Sequence, residues 1–235
     1  MNTLNSLIRN SFLSACTVVA VLSFAHQAEA QVLFADDFYS GASPLWGNEV
    51  GAWSDAGGVY FATQPGAAPN AFSSLPFTLT DYSMEVDVVN VGTGGIWSRS
   101  AAAPGTTTGI TGVLLAIGGS VPSGLYWHID LDGNSYGSIL APVGGLFNPG
   151  DTVHLRVEVQ GDTYSAYVNG SPTPATTVNT SAFSSGRLAL YDFSPSGHSY
   201  DNVSVVPEPS SGLLLIFGAV LVSRHRSLRA KGRNA

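Results

Sequence analysis

The chain has 235 residues, a formal net charge of −7, 44% hydrophobic residues and only 11% charged ones. A single cysteine excludes a disulfide framework, and the acidic balance argues against nucleic acid as a partner. The length suits one sizeable domain with flanking segments.

In chain order, Arg9 stands in a polar opening segment and Phe12 to Phe24 is an apolar run. Ala28-Glu29-Ala30 then supplies the small-x-small pattern cut by signal peptidase. Residues 1–30 are therefore expected to be a signal peptide that engages the general secretion machinery and leaves Gln31 first. Leu13-Ser14-Ala15-Cys16 also fits a lipoprotein box, but it opens the apolar run where such a box would close it. With Cys16 removed, the exported chain holds no cysteine, so its core alone must sustain the fold.

Residues 31–206 are expected to form a single all-β domain. They carry Arg99, Arg156 and Arg187, no lysine and fourteen carboxylates, a net charge of −11 that the basic C-terminus masks. Wherever the apolar pattern is clear its period is two. Val153, Leu155, Val157 and Val159 alternate with His154, Arg156, Glu158 and Gln160, which predicts a half-buried strand. Gln160-Gly161-Asp162 predicts a turn, Thr163 to Val168 a strand, and Val168-Asn169-Gly170-Ser171 a second turn. Further strands are predicted over Tyr82 to Val91, Ile110 to Ile117, Leu125 to Leu131, Arg187 to Phe193 and Tyr200 to Val205. Weaker ones fall over Val32 to Phe38, Val59 to Thr63 and Phe72 to Thr80. Ala101 to Gly109 reads as a low-complexity loop. Short strands punctuated by Gly, Pro, Ser and Asn imply two sheets packed as a sandwich.

The order of these pieces resembles the concanavalin A-like lectin/glucanase jelly rolls, including laminin-G-like modules. Asp36-Asp37-Phe38 resembles their opening. Val153 to Val159, Tyr167-Val168-Asn169-Gly170, Arg187 to Asp192 and Tyr200-Asp201-Asn202-Val203 resemble their closing series. The resemblance implies a two-sheet jelly-roll sandwich. It leaves carbohydrate binder, glycosidase and inert spacer all open, because fold does not choose among them.

Three constellations carry candidate chemistry. Glu85 and Asp87 lie two apart on a strand and share a face, as a pair of catalytic carboxylates would. Glucanases of the resembling family continue the pattern to a third acid, whereas here Asn90 occupies that place, and an amide cannot protonate a leaving group. A solvated strand face explains the pair as well. Tyr126, His128 and Asp130 form a second face, opposite Trp127, Ile129 and Leu131, suited to stacking on a sugar and bonding its hydroxyls. Either Trp127 or Tyr126 belongs to the core. His154, Arg156 and Glu158 make a similar face, which joins the second only if the strands adjoin. Asp36, Asp37, Asp201 and Asn202, from the two ends of the domain, are the candidate calcium ligands. Asp130-Leu131-Asp132-Gly133-Asn134 has the look of a calcium loop but equally that of a hairpin turn. The histidines show no zinc spacing.

Residues 207–235 close the chain with Pro207-Glu208-Pro209, an apolar stretch over 210–223, and Arg224, Arg226, Arg229, Lys231 and Arg233. Such a stretch makes a helix of roughly 21 Å, short of a hydrocarbon core of about 30 Å. The cations behind it resist translocation and act as a stop. This triplet, short apolar helix and basic end together resemble the PEP-CTERM sorting signal of Gram-negative bacteria. The resemblance implies that an exosortase recognises Pro207, Glu208 and Pro209 and removes the tail. The chain would pass through an inner-membrane intermediate to the surface or matrix of an exopolysaccharide-producing cell. A plain membrane anchor is the other reading. The expectation is therefore an exported surface or matrix protein with a β-sandwich that meets glycan and performs no catalysis. The alternative is a secreted glycosidase using Glu85 and Asp87.

Overall fold

The structure, a computed structural model, describes residues 31–66, 71–102, 109–133, 137–193 and 197–208. The signal peptide expected over 1–30, and Pro209 with the apolar stretch and the basic stop, lie outside them. Among the described residues no helix is long and apolar enough to cross a membrane.

The described fold is all-β. Its strands are β1 (Phe34–Asp36), β2 (Trp53–Ser54), β3 (Phe61–Ala62), β4 (Ala71–Ser74), β5 (Tyr82–Val89), β6 (Gly94–Ala102) and β7 (Ile110–Ile117). After them come β8 (Leu125–Asp130), β9 (Leu140–Val143), β10 (Val153–Gln160), β11 (Thr163–Val168), β12 (Thr176–Asn179), β13 (Arg187–Asp192) and β14 (Ser199–Pro207). Sheet I runs β1-β14-β5-β10-β11-β12 and sheet II runs β4-β13-β6-β7-β8-β9, while β2 and β3 form a separate hairpin.

Alternation along the strands dictates how the sheets pack. On β5, Tyr82, Met84, Val86 and Val88 are fully buried, and on β10 so are Val153, Leu155, Val157 and Val159. They meet Ile96, Val113, Leu115, Ile117, Leu125, Trp127, Leu188 and Leu190 from sheet II in one core. Each large apolar side chain so buried contributes about 1.5–3 kcal/mol relative to exposure. Trp127 is therefore the core residue of its pair, and Tyr126 faces outward into a second, smaller apolar cluster. An aromatic plug closes one end: the Tyr60 ring stacks on Phe38 at 5.0 Å and on Trp53 at 4.9 Å.

The predicted turns form. Gly161-Asp162 joins Gln160 to Thr163 in a two-residue hairpin. Asn169 and Gly170 both adopt positive φ, as a primed turn requires, with the Ser171 N–H donating to the Val168 carbonyl. Four strands lie outside the predicted ones: β2, β6, β9 and β12. The sequence of β6, Gly-Gly-Ile-Trp-Ser-Arg-Ser-Ala-Ala, lacks the β-branched alternation that marks a strand, and it takes up the first residues of the expected loop at 101. Its Arg99 is 2% exposed and sits at positive φ where the pairing register shifts. Pairing on both flanks, to β13 and β7, stabilises β6 despite that composition.

Pro207, read from the sequence as the start of the tail, is the last residue of β14 and pairs with Tyr82. Beyond it the Glu208 N–H donates to the Asp81 carbonyl at 3.0 Å. Antiparallel alternation then puts Pro207 at a position whose N–H would point away from β5, so the missing donor leaves the ladder intact.

Candidate functional site

The outer face of sheet II is where the fold builds a concavity. The register aligns Tyr191 on β13 with Gly95 on β6, Gly95 with Ala116 on β7, and Ala116 with Tyr126 on β8. Two tyrosines thus flank a glycine and an alanine, so the row is high at its ends and low in its middle. The next row reads Ala189, Trp97, Leu114 and His128. A Cβ on Gly95 would lie 2.3 Å from the Leu115 carbonyl oxygen and 2.8 Å from the Leu114 Cδ1, so no larger residue fits there without movement.

The result is a groove of about 640 Å³ whose lining includes Thr93, Leu114, Ala116, Ser120, Tyr126, His128, Ile139, Tyr191 and Phe193. Tyr126 is held by its neighbours. Its hydroxyl accepts the Ser120 N–H at 3.4 Å, and its ring meets the His128 ring edge-on at 5.2 Å. The His128 Nδ1 lies 3.2 Å from the Ser138 carbonyl. Phe193 and Ile139, 41% and 42% exposed, form an apolar rim. No lysine, arginine, aspartate or glutamate lies among the described lining residues.

One wall is pinned from behind. The Phe193 N–H donates to the Thr93 carbonyl, and the Nδ1 of His198 accepts the Gly92 N–H at 3.1 Å. His198 is fully buried, and burial pushes its pKa down to about 3, so it stays neutral with Nδ1 free to accept.

The face predicted from Tyr126, His128 and Asp130 divides. The first two line the groove. Asp130 is 1% exposed and caps the turn after β8 by accepting the Asp132 and Gly133 N–H groups at 3.1 and 2.7 Å; burial raises its pKa. That capping accounts for the loop as a turn, with Asn134 outside the described residues. Tyr191, Gly95, Ala116 and Phe193 were not singled out in the sequence. Period two in Leu188-Ala189-Leu190-Tyr191 does separate Tyr191 from the core side, but only long-range pairing sets it opposite Gly95.

Glu85 and Asp87 share a face as expected, and that face is the outer one of sheet I, away from the groove. Asp87 accepts from the His154 Nδ1 and the Asn202 Nδ2, each at 2.8 Å. Glu85 lies 4.0 Å from the His154 Nε2 and pairs in register with Arg156. Arg156 lies 3.7 Å over the Tyr167 ring and pairs with Glu158, which accepts the Tyr167 hydroxyl at 2.7 Å. Strands β8 and β10 belong to different sheets, so the His154, Arg156, Glu158 face joins β5 and not the Tyr126 face.

The domain ends do meet: β1 pairs with β14, and Asp36, Asp37 and Asn202 border a shallow cleft of about 520 Å³. Asp36, however, accepts the Phe38 and Ser43 N–H groups and the Trp46 indole at 3.1, 2.8 and 2.9 Å. Asp37 accepts the Tyr39 N–H, and Asp201 lies outside the cleft lining, accepting the Asn202 N–H. Among the described residues no three His, Cys, Asp or Glu side chains are arranged to hold a metal ion.

No family model matches the chain, and no curated protein matches it. Solved structures do. A carbohydrate-binding module, CBM66 from Bacillus subtilis, is 18% identical with a TM-score of 0.52, covering 70% of this chain and 92% of that one. A Bacillus subtilis protein of unknown function with a galectin-like fold is 12% identical with a TM-score of 0.57, covering 77% and 99%. The Bacillus licheniformis β-glucanase is 14% identical with a TM-score of 0.50, covering 78% and 100%. The domain is thus a concanavalin A-like jelly roll. At these identities the likeness establishes the fold, and the chemistry must come from the residues.

Proposed function

We propose that this protein is an exported surface or matrix protein whose sheet II groove binds an uncharged glycan without cleaving it. The observation that carries this reading is the row Tyr191–Gly95–Ala116–Tyr126, two aromatic walls over a low floor. Tyr126 and Tyr191 are 6% and 5% exposed, so a sugar would meet only the accessible margin of their rings, with the exposed Phe193 ring beside them, and the Thr93 and Ser120 hydroxyls offer bonds to its own. Among the described residues the lining carries no fixed charge, and on a domain of net charge −11 this favours a neutral polysaccharide over an acidic one. Glycosidic hydrolysis needs two carboxyls flanking the bond. Glu85 and Asp87 lie on the other face, with Asp87 bonded through both oxygens, which favours binding over turnover.

The glycan is met where the tail takes the chain. The leader over 1–30 directs export, the exosortase reads Pro207, Glu208 and Pro209, and Arg224, Arg226 and Arg229 hold the tail on the cytoplasmic side until it is removed. The fold similarities to a carbohydrate-binding module and a galectin-like protein agree with glycan contact.

Retention of the purified domain on neutral β-glucans, fructans and acidic exopolysaccharide tests the groove. Tyr126→Ala and Tyr191→Ala are each expected to weaken retention about tenfold or more. Glu85→Gln and Asp87→Asn should leave it within about twofold, the scatter of a distant surface change. Sugar release that disappears in Glu85→Gln would establish the glycosidase instead. For sorting, the intact mass of the surface form should lack Arg224 to Ala235; a mass that includes them refutes processing.

A further inference from the structure

Two residues of the tail triplet belong to the folded domain. The far end of β14, Val206 and Pro207, is held against β5 through Val206–Ser83 and Pro207–Tyr82, and the Glu208 N–H closes the ladder on the Asp81 carbonyl. Asp81 is itself fixed. Its carboxylate accepts the Gly161 N–H at 3.0 Å and the Arg99 Nη2 at 3.2 Å. The buried Arg99 guanidinium also bonds the Thr80 and Phe183 carbonyls and the Tyr164 hydroxyl, and lies 5.3 Å from the Tyr164 ring centre. The β5 entry, the β10–β11 turn, the segment at Phe183 and bulged β6 therefore meet at the point where the chain leaves the domain.

A processing enzyme takes its substrate as a single extended segment in a cleft, so a backbone already paired with a neighbouring strand must first detach. We propose that the folded domain gates the processing of its own tail: β5 and Asp81 sequester Pro207 and Glu208, and the membrane enzyme captures them only after the last register of β14 opens. This rests on the sorting reading above. The Arg99–Asp81 node makes that opening rarer than the fraying of an ordinary strand end. Once the tail is gone, β14 as far as Val206 keeps its pairing with β5.

A staple isolates the gate without altering the triplet. Ser83 and Val206 are register partners at a hydrogen-bonded position, where Cα atoms lie about 5.5 Å apart, within disulfide range. In the exported full-length chain, which otherwise has no cysteine after Cys16, the double substitution Ser83→Cys with Val206→Cys is expected to slow tail removal about tenfold or more when oxidised. Reductant should restore the wild-type rate, which excludes misfolding as the cause. Asp81→Ala, which loosens the node, should accelerate removal. Hydrogen exchange at the Glu208 amide, measured on the full chain, should report strong protection that Asp81→Ala reduces. If the wild-type tail is removed and the staple leaves its rate unchanged, the gate is refuted and sorting stands. If the wild-type tail is never removed in a producing host, the sorting reading fails and the gate with it, whatever the exchange data report.

Discussion

The two outer faces of the sandwich each belong to a six-stranded sheet, yet they end in opposite conditions. On sheet I the outward residues are charged and compensate one another: Asp87 with His154 and Asn202, Arg156 with Glu158 and Tyr167. On sheet II they are aromatic, aliphatic and small, and most are buried: Tyr126 and Tyr191 are 6% and 5% exposed and Trp97 is fully buried, beside a groove rimmed by Phe193 and Ile139. A cluster of polar residues on one strand face is thus a poor guide to a site, because the neighbouring strand can satisfy it. A row that alternates large and small across strands shapes a concavity among the described residues.

That contrast can be challenged. The largest effect is expected from Gly95→Val, which places atoms where the Leu115 carbonyl and Leu114 already lie. It should cost about 1–3 kcal/mol in chemical denaturation and abolish glycan retention, since overpacking and filling the trough act together. A variant of normal stability that still binds would remove the trough from the argument.

A smaller effect is expected from His198, which pins the groove wall. Its folded pKa is lowered to about 3 from an ordinary 6.5, so the unfolded chain takes up the proton first. The stability due to neutral His198 is therefore complete above about pH 6.5 and declines as pH falls towards 3. Melting temperatures across that window should fall for the wild type. His198→Asn keeps an acceptor for Gly92 but does not titrate, so its curve should be flatter there. Parallel curves would show that another group governs the acid limb.

The smallest effect belongs to sheet I. Arg156→Ala breaks a partly exposed ion pair and a ring contact, and should shift stability by no more than about 1 kcal/mol with retention unchanged. Loss of retention would make the charged face the binding face and reverse the comparison.

Much of the frame was legible in the chain. The alternation at Val153 to Val159 predicted a half-buried strand whose inward set is buried, and Asn169-Gly170 predicted a turn that forms. Strand β6 was not legible, because its glycines, serines and Arg99 are stabilised by partners far away in sequence. Of the candidate sugar face, Tyr126 and His128 line the groove. Asp130 does not, because the backbone at Asp132 and Gly133 claims its carboxylate for a turn.

By itself the sequence determined the all-β class, most strand positions and which side of each strand is apolar, since these depend on local periodicity and turn chemistry. Only the tertiary structure decided that Tyr191 and Tyr126 face each other across Gly95 and Ala116. It alone decided that Glu85 and Asp87 sit on the other side of the sandwich, and that Pro207 and Glu208 are tied to β5. Those facts depend on which strands become neighbours, and long-range register is set by the packing of the whole core.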